Sequence, residues 1–174
     1  MKHPVFTRVA AVDGNVYIDL ADARWRAVEI DAHGWRVVSR PPVRFRRAAG
    51  MLALPEPVPG GSLSLLRNCL NVADDASFLL LVAWLIGGLH PSGPYPILIL
   101  QGEQGSGKSL SARLLRSLVD PNSAALRTIP REERDLIVAA RNGWVIALDN
   151  LSGMADWLSD GLCRIATGGG FSAR

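Results

Sequence analysis

PILILQGEQGSGKSL, residues 96–110, decides how this chain is read. Ile97 to Leu100 is a short unbroken apolar run, the pattern of a strand buried on both faces. It leads directly into Gly102-Glu103-Gln104-Gly105-Ser106-Gly107-Lys108-Ser109, a full G-x-x-x-x-G-K-S phosphate-loop pattern, and Leu110 to Val119 then reads as a helix. Each residue type has a task in that chemistry. Glycines let the backbone turn so that N–H groups converge on phosphate oxygens, and the helix start adds unpaired amides and a favourable dipole. Lys108 offers a point charge to the β- and γ-phosphates and Ser109 a hydroxyl to Mg²⁺. Glu103, Gln104 and Leu110 complete the candidate nucleotide-contacting set, the first two at variable positions of the loop.

A second signal follows at Trp144-Val-Ile-Ala-Leu148, an apolar run that ends in Asp149 and Asn150. An aspartate closing a buried strand is where phosphate-loop NTPases hold Mg²⁺, so Ser109 and Asp149 form the candidate metal pair. The candidate catalytic residues are Lys108, Asp149 and Asn150.

The 174 residues suffice for one domain or for a domain with a small appendage. At 48% hydrophobic and 20% charged the chain has material for a core. Its net charge of +3 and pI near 9.3 permit a nucleic-acid partner without requiring one. Cys69 and Cys163 have no metal-ligand spacing and are expected as reduced, partly buried thiols of a cytoplasmic protein. The first residues lack the apolar core of a secretory signal. Phe78 to Leu89 is the greasiest stretch, yet about a dozen residues fall short of the ~20 that span a bilayer, so it is expected as a buried helix and no membrane partner is expected.

Residues 1–47 read as a small antiparallel β meander. Val5 to Val12 and Asn15 to Leu20 flank the hairpin signal Asp13-Gly14, Trp25 to Ile30 and Trp35 to Val38 follow, and Val43 to Arg46 is a candidate fifth strand. Arg36, Arg40, Arg44, Arg46 and Arg47 crowd its end. Such density suits either contact with a phosphate backbone or a solvated edge that resists aggregation. The five tryptophans sit at strand and helix spacing and are read as core.

Residues 48–61 form a Pro/Gly-rich linker and 62–95 a helical connector. In the connector, Ser62 caps a short helix with Leu63, Leu66 and Leu70 on one face, and Asp74 or Asp75 caps the next. Residues 96–174 hold the phosphate-loop core. There Leu110, Leu114 and Leu118 share a stripe, Ala124 to Thr128 is a candidate strand, Pro130 opens a helix, and a last helix covers about Ala155 to Ala166.

GEQGSGKS together with LDNLSGMADWLSDGLCRIATGGGFSAR resembles the ATPase module of phage- and plasmid-type replication proteins. These helicase-like ATP-binding proteins, often fused to a primase, are related to superfamily III helicases and the wider AAA+ class. The resemblance covers roughly residues 62–174 and implies an α/β phosphate-loop NTPase: an incomplete parallel sheet with flanking helices, preceded here by the antiparallel β unit. It implies ATP and Mg²⁺ as cofactors, with Lys108 and Ser109 on phosphate and metal and Asp149 as the Walker B carboxylate. The partners it implies are DNA and either a homo-oligomer or a full-length homologue. Asn150 stands where relatives carry a glutamate that polarises the attacking water. An amide orients water but is no base. The resemblance also implies a central sensor strand, a further strand and an arginine finger beyond Arg174, so the chain is expected to be the front portion of a larger ATPase, with Ser172 and Arg174 at the start of a pore or sensor region. Two readings therefore stand: a helicase-like ATPase of a mobile element's DNA replication, and a non-catalytic remnant that binds nucleotide or a homologue without turnover. A small-molecule kinase is a third.

Overall fold

The computed structural model describes residues 3–168. The meander forms with the hairpin that Asp13-Gly14 requires, both residues at positive φ (52° and 80°), which matches the twist of the flanking strands. Strands β2 (Val9–Val12), β3 (Asn15–Asp19), β4 (Ala27–Asp31) and β5 (Gly34–Val38) pair in sequence order, all antiparallel. Facing pairs include Val9 with Ile18, Ile18 with Val28 and Val28 with Val37. Ile18, Leu20 and Val28 on one face pack with Val16, Ile30 and Val37 and receive Leu54 and Leu89 from later in the chain. Ala10 and Tyr17 on the other face are covered by Val43, Phe6 and Phe45.

Three expectations for this unit are corrected. Val5 to Val12 is not one strand: β1 (Val5–Phe6) ends before Arg8, whose side chain turns fully into the interior. Trp25 lies outside β4 at φ 57°, because Asp22 accepts hydrogen bonds from the backbone of Arg24 and Arg26 and folds the segment into a tight turn. β6 (Arg44–Phe45) is not a fifth meander strand. It pairs in parallel with β1 in a separate two-stranded sheet, since Pro41 and Pro42 lack the N–H groups to prolong the ladder beyond β5.

The first half of the 48–61 linker forms a strap tied to the fold. The Leu52 N–H donates to the Pro121 carbonyl at 2.9 Å and the Leu54 N–H to the Leu20 carbonyl at 2.9 Å. Helix α1 (Leu63–Asn68) starts at Ser62, whose hydroxyl accepts from the Ser64 N–H, but Leu63 is exposed and Leu70 lies beyond the helix end. Helix α2 (Asp75–Gly88) is capped by Asp74, which accepts from the Ser77 N–H at 2.7 Å. Contrary to expectation α2 is not buried all round. Leu81 is the residue of α2 that is fully buried, while Leu79, Leu80 and Ile86 are about two-thirds exposed.

Leu81 joins Leu70 and Leu115 in a third cluster, together with Leu98 and Leu100. Residues 97–100 thus keep a strand-like alternation, with Leu98 and Leu100 inward and Ile97 and Ile99 exposed. They form no ladder among the described residues and are not buried on both faces. Helix α3 (Lys108–Val119) buries Leu115, Arg116 and Val119, so its core-facing stripe lies beside the expected one; Leu110 and Leu118 face outward. The candidate strands at 124–128 and 144–148 meet at a single parallel bridge, Arg127 with Leu148. Helices α4 (Glu133–Arg141) and α5 (Asp156–Ala166) pack where the Leu136 side chain fills the space beside Gly161, a Cβ there lying 2.7 Å from Leu136 Cδ2. The result is a mixed α/β structure. Among the described residues no helix is long and apolar enough to cross a membrane.

Arg8 and Asp120 tie these parts together. Arg8 donates from Nε and Nη2 to Asp120 Oδ1, both at 3.0 Å, and from Nη1 to the Asp19 carbonyl, and neither side chain is solvent-accessible beyond 1%. The second Asp120 oxygen accepts from the Trp144 and Val145 N–H groups at 2.9 and 3.1 Å. Removing one partner strands a buried charge, so Asp120→Ala is expected to cost about 3–5 kcal/mol in urea unfolding. Arg36→Ala, in an ion pair whose arginine is largely exposed, should cost no more than about 1 kcal/mol.

Candidate functional site

Residues 102–109 fold as a loop that feeds α3 through a left-handed glycine. Gly105 (φ 82°) and Gly107 (φ 83°) occupy a region that a side chain disfavours, and Gly107 is the residue at the helix cap. At Gly102 (φ 155°) a steric restriction adds to the conformational one. A Cβ there would lie 2.9 Å from Ser106 Oγ, so the loop closes upon the absent side chain.

Lys108, the first residue of α3, folds back over the loop. Its ammonium donates to the carbonyls of Gly102 (2.8 Å) and Glu103 (2.6 Å) and lies 3.4 Å from Ser106 Oγ. A cation is thereby centred among the loop residues, satisfied by carbonyls that an anion could replace. Ser109, next on the helix, donates its hydroxyl to Asp149 at 3.0 and 3.1 Å from the two carboxylate oxygens. The two sequence signals, 40 residues apart, converge on one contact.

The Arg127 bridge sets the position of Asp149. The Arg127 N–H donates to the Ala147 carbonyl and the Asp149 N–H to the Arg127 carbonyl, both at 2.9 Å. Asn150 follows at φ 59° with its N–H on Asp149 Oδ1 at 3.0 Å, and it is exposed. Glu103, Gln104 and Leu110 are exposed too, lining the loop's outer side and the first turn of α3. Ser172 and Arg174 lie outside the described residues.

Several supporting residues escaped the sequence reading. Asn71 donates from Nδ2 to the Ser106 carbonyl at 3.1 Å and ties the loop to the α1–α2 connection. Arg116, buried in α3, donates to the carbonyls of Ala124 and Ala125 at 2.6 and 2.8 Å and sets the path towards the Arg127 bridge. Burial lowers the pKa of its guanidinium from the ordinary arginine value, and the nearby Asp120 charge opposes that shift. Trp144 donates its indole N–H to the Gly88 carbonyl and meets Tyr95 edge-on at 5.6 Å, while Trp25 and Trp35 are about half exposed. Cys69 and Cys163 are exposed rather than partly buried.

The donor set suits a phosphate with a divalent cation: a glycine cradle that a Cβ would fill, a centred ammonium, and a hydroxyl touching a carboxylate. Gly102→Ala is expected to spread the loop and lower stability by about 1–3 kcal/mol in urea unfolding. Adding Ser106→Gly, which removes the clashing hydroxyl, should recover only part of that loss, because the positive φ at position 102 persists.

No curated protein and no solved structure matches this chain. A family model does, that of the actinomycete integrative conjugative element replication protein, over residues 63–174. The match takes in the loop, α3, Asp149 and α5 and leaves the β meander outside it. Covering well over half of the sequence, it shows that the chain belongs to the actinomycete integrative conjugative element replication protein family.

Proposed function

We propose that this replication protein carries a phosphate-loop NTPase module that binds Mg²⁺-ATP and works as a helicase-like ATPase in the DNA replication of its mobile element. The observation that carries the reading is the contact between Ser109 and Asp149 in the first turn of the helix that a glycine loop opens, with the Lys108 ammonium held among that loop's carbonyls. Gly102 to Ser109 would hold the phosphates through backbone N–H groups and Lys108. Ser109 and Asp149 would hold Mg²⁺, which when bound neutralises phosphate charge. The chain's own contribution is positioning and electrostatics. On binding, Lys108 would exchange the loop carbonyls for phosphate oxygens, and the Ser109 hydroxyl, now given to Asp149, would be available to the metal. DNA and further copies of the chain, or a full-length homologue, are the proposed partners.

A second reading, nucleotide binding without turnover, is favoured by Asn150. Its amide can orient a water but cannot accept the water's proton at neutral pH.

Thermal and urea unfolding with and without Mg²⁺-ATP test the binding. At about a hundred times its dissociation constant the nucleotide should add ~2.7 kcal/mol to the folded state, and Lys108→Ala should abolish the gain. ATP hydrolysis with and without DNA then separates the two readings. Turnover above the Lys108→Ala background supports the ATPase, and its absence in a chain that still gains stability from nucleotide supports binding alone.

A further inference from the structure

The five arginines between Asp31 and Glu56, a stretch without any acidic residue, meet two different fates: Arg36 and Arg47 are paired, while Arg40, Arg44 and Arg46 are exposed with no acidic partner among the described residues. Arg36 is neutralised by Glu29 and Asp31 at 2.7 and 2.8 Å. Arg47 is spent on Asp19, at 2.6 Å, while its guanidinium stacks 3.8 Å above the Trp25 ring. Arg44 and Arg46 remain on the outer side of β6, where Val43 is buried, Phe45 packs into the core, and the arginines alternate outward. Both are exposed and have no acidic partner among the described residues.

Arg46 does not point to open solvent alone: it donates to the Arg141 carbonyl at the C-terminal end of α4. That bond seats β6 against a helix end which has cations of its own. Arg134, Val138 and Arg141 stand at i, i+4 and i+7, one stripe of α4, and all three are exposed. Neither Arg134 nor Arg141 has an acidic partner among the described residues. The acidic residues of this helix lie off the stripe, and Glu133 pairs with Arg164. The end of α4 accounts for Arg46 and for Arg141 in its last turn, but not for Arg44, two residues from Arg46, or for Arg134 in the first turn of the same exposed stripe.

We infer that Arg44, Arg46, Arg134 and Arg141 form one surface, built jointly by the β unit and α4, that binds the phosphate backbone of DNA without reading its sequence. Guanidinium groups suit this, being planar, always charged and weakly hydrated. The inference rests on the replication reading above for its choice of polyanion, and the surface is separate from the Lys108 loop.

Titration of a fluorescent mixed-sequence duplex against salt tests it. Each phosphate contact contributes about −0.9 to the slope of log affinity against log salt. The triple variant Arg44→Gln/Arg134→Gln/Arg141→Gln, which spares the helix-capping Arg46, should flatten that slope by about two to three and weaken duplexes of unrelated sequence alike. Arg36→Gln, whose cation is already neutralised, should leave the slope unchanged. A triple variant that keeps a cooperative thermal transition and the wild-type slope would overturn the proposal, as would a loss confined to one DNA sequence. If wild type shows no stabilisation by ATP yet the triple change flattens the slope, the nucleotide reading falls and this surface stands.

Discussion

A single carboxylate holds the molecule's parts in register. Asp120 ends α3, receives the buried Arg8 guanidinium on one oxygen and fixes the N–H groups of Trp144 and Val145 with the other. The meander, the helix that begins with Lys108 and the segment that ends in Asp149 therefore share one electrostatic node. In a dry interior such a node is tolerated only when every lone pair and proton is engaged, and Arg8 supplies its remaining donors to the Asp19 and Leu52 carbonyls. The Leu52 carbonyl comes from the strap, so the strap too is drawn to the node.

The loop obeys a different constraint, one that is local. Left-handed glycines at 105 and 107 and the lack of a side chain at 102 follow from backbone geometry within eight residues. Placement of Asp149 against Ser109 is not local. It relies on Arg127 pairing beside Leu148 and on Arg116 holding the carbonyls of Ala124 and Ala125. The site joins a locally encoded cradle to a carboxylate delivered by long-range packing.

That division explains what could be read without coordinates. The hairpin at Asp13-Gly14, the caps at Ser62 and Asp74 and the loop itself were legible, because a few adjacent residues dictate them. Arg8 was not, since an arginine inside a strand-like run carries no mark of its burial until Asp120, 112 residues away, is beside it. The same holds for β6, whose composition suited either sheet and whose partner was decided by two prolines and the turn at Arg8. Hydrophobicity misled at α2 and at residues 97–100. An apolar side chain can be buried only where a neighbour exists to cover it, and Leu79, Leu80, Ile97 and Ile99 have none among the described residues. The Ser109–Asp149 contact was legible as a pair of motifs but not as a distance.

Helix α3 has a mechanical consequence. Its first residues are Lys108 and Ser109 and its last contacts belong to Asp120, so one stiff rod of roughly 18 Å (at ~1.5 Å per residue) spans from the loop to the Arg8 node. Pinned at its far end and packed along Leu115 and Val119, the rod cannot absorb displacement by bending within twelve residues. A tilt of about five degrees at the loop end would be felt as roughly 1.5 Å of travel over that lever arm. The β meander, clamped to the fulcrum through Arg8 and the strap, shares the end that stays fixed while the loop end swings.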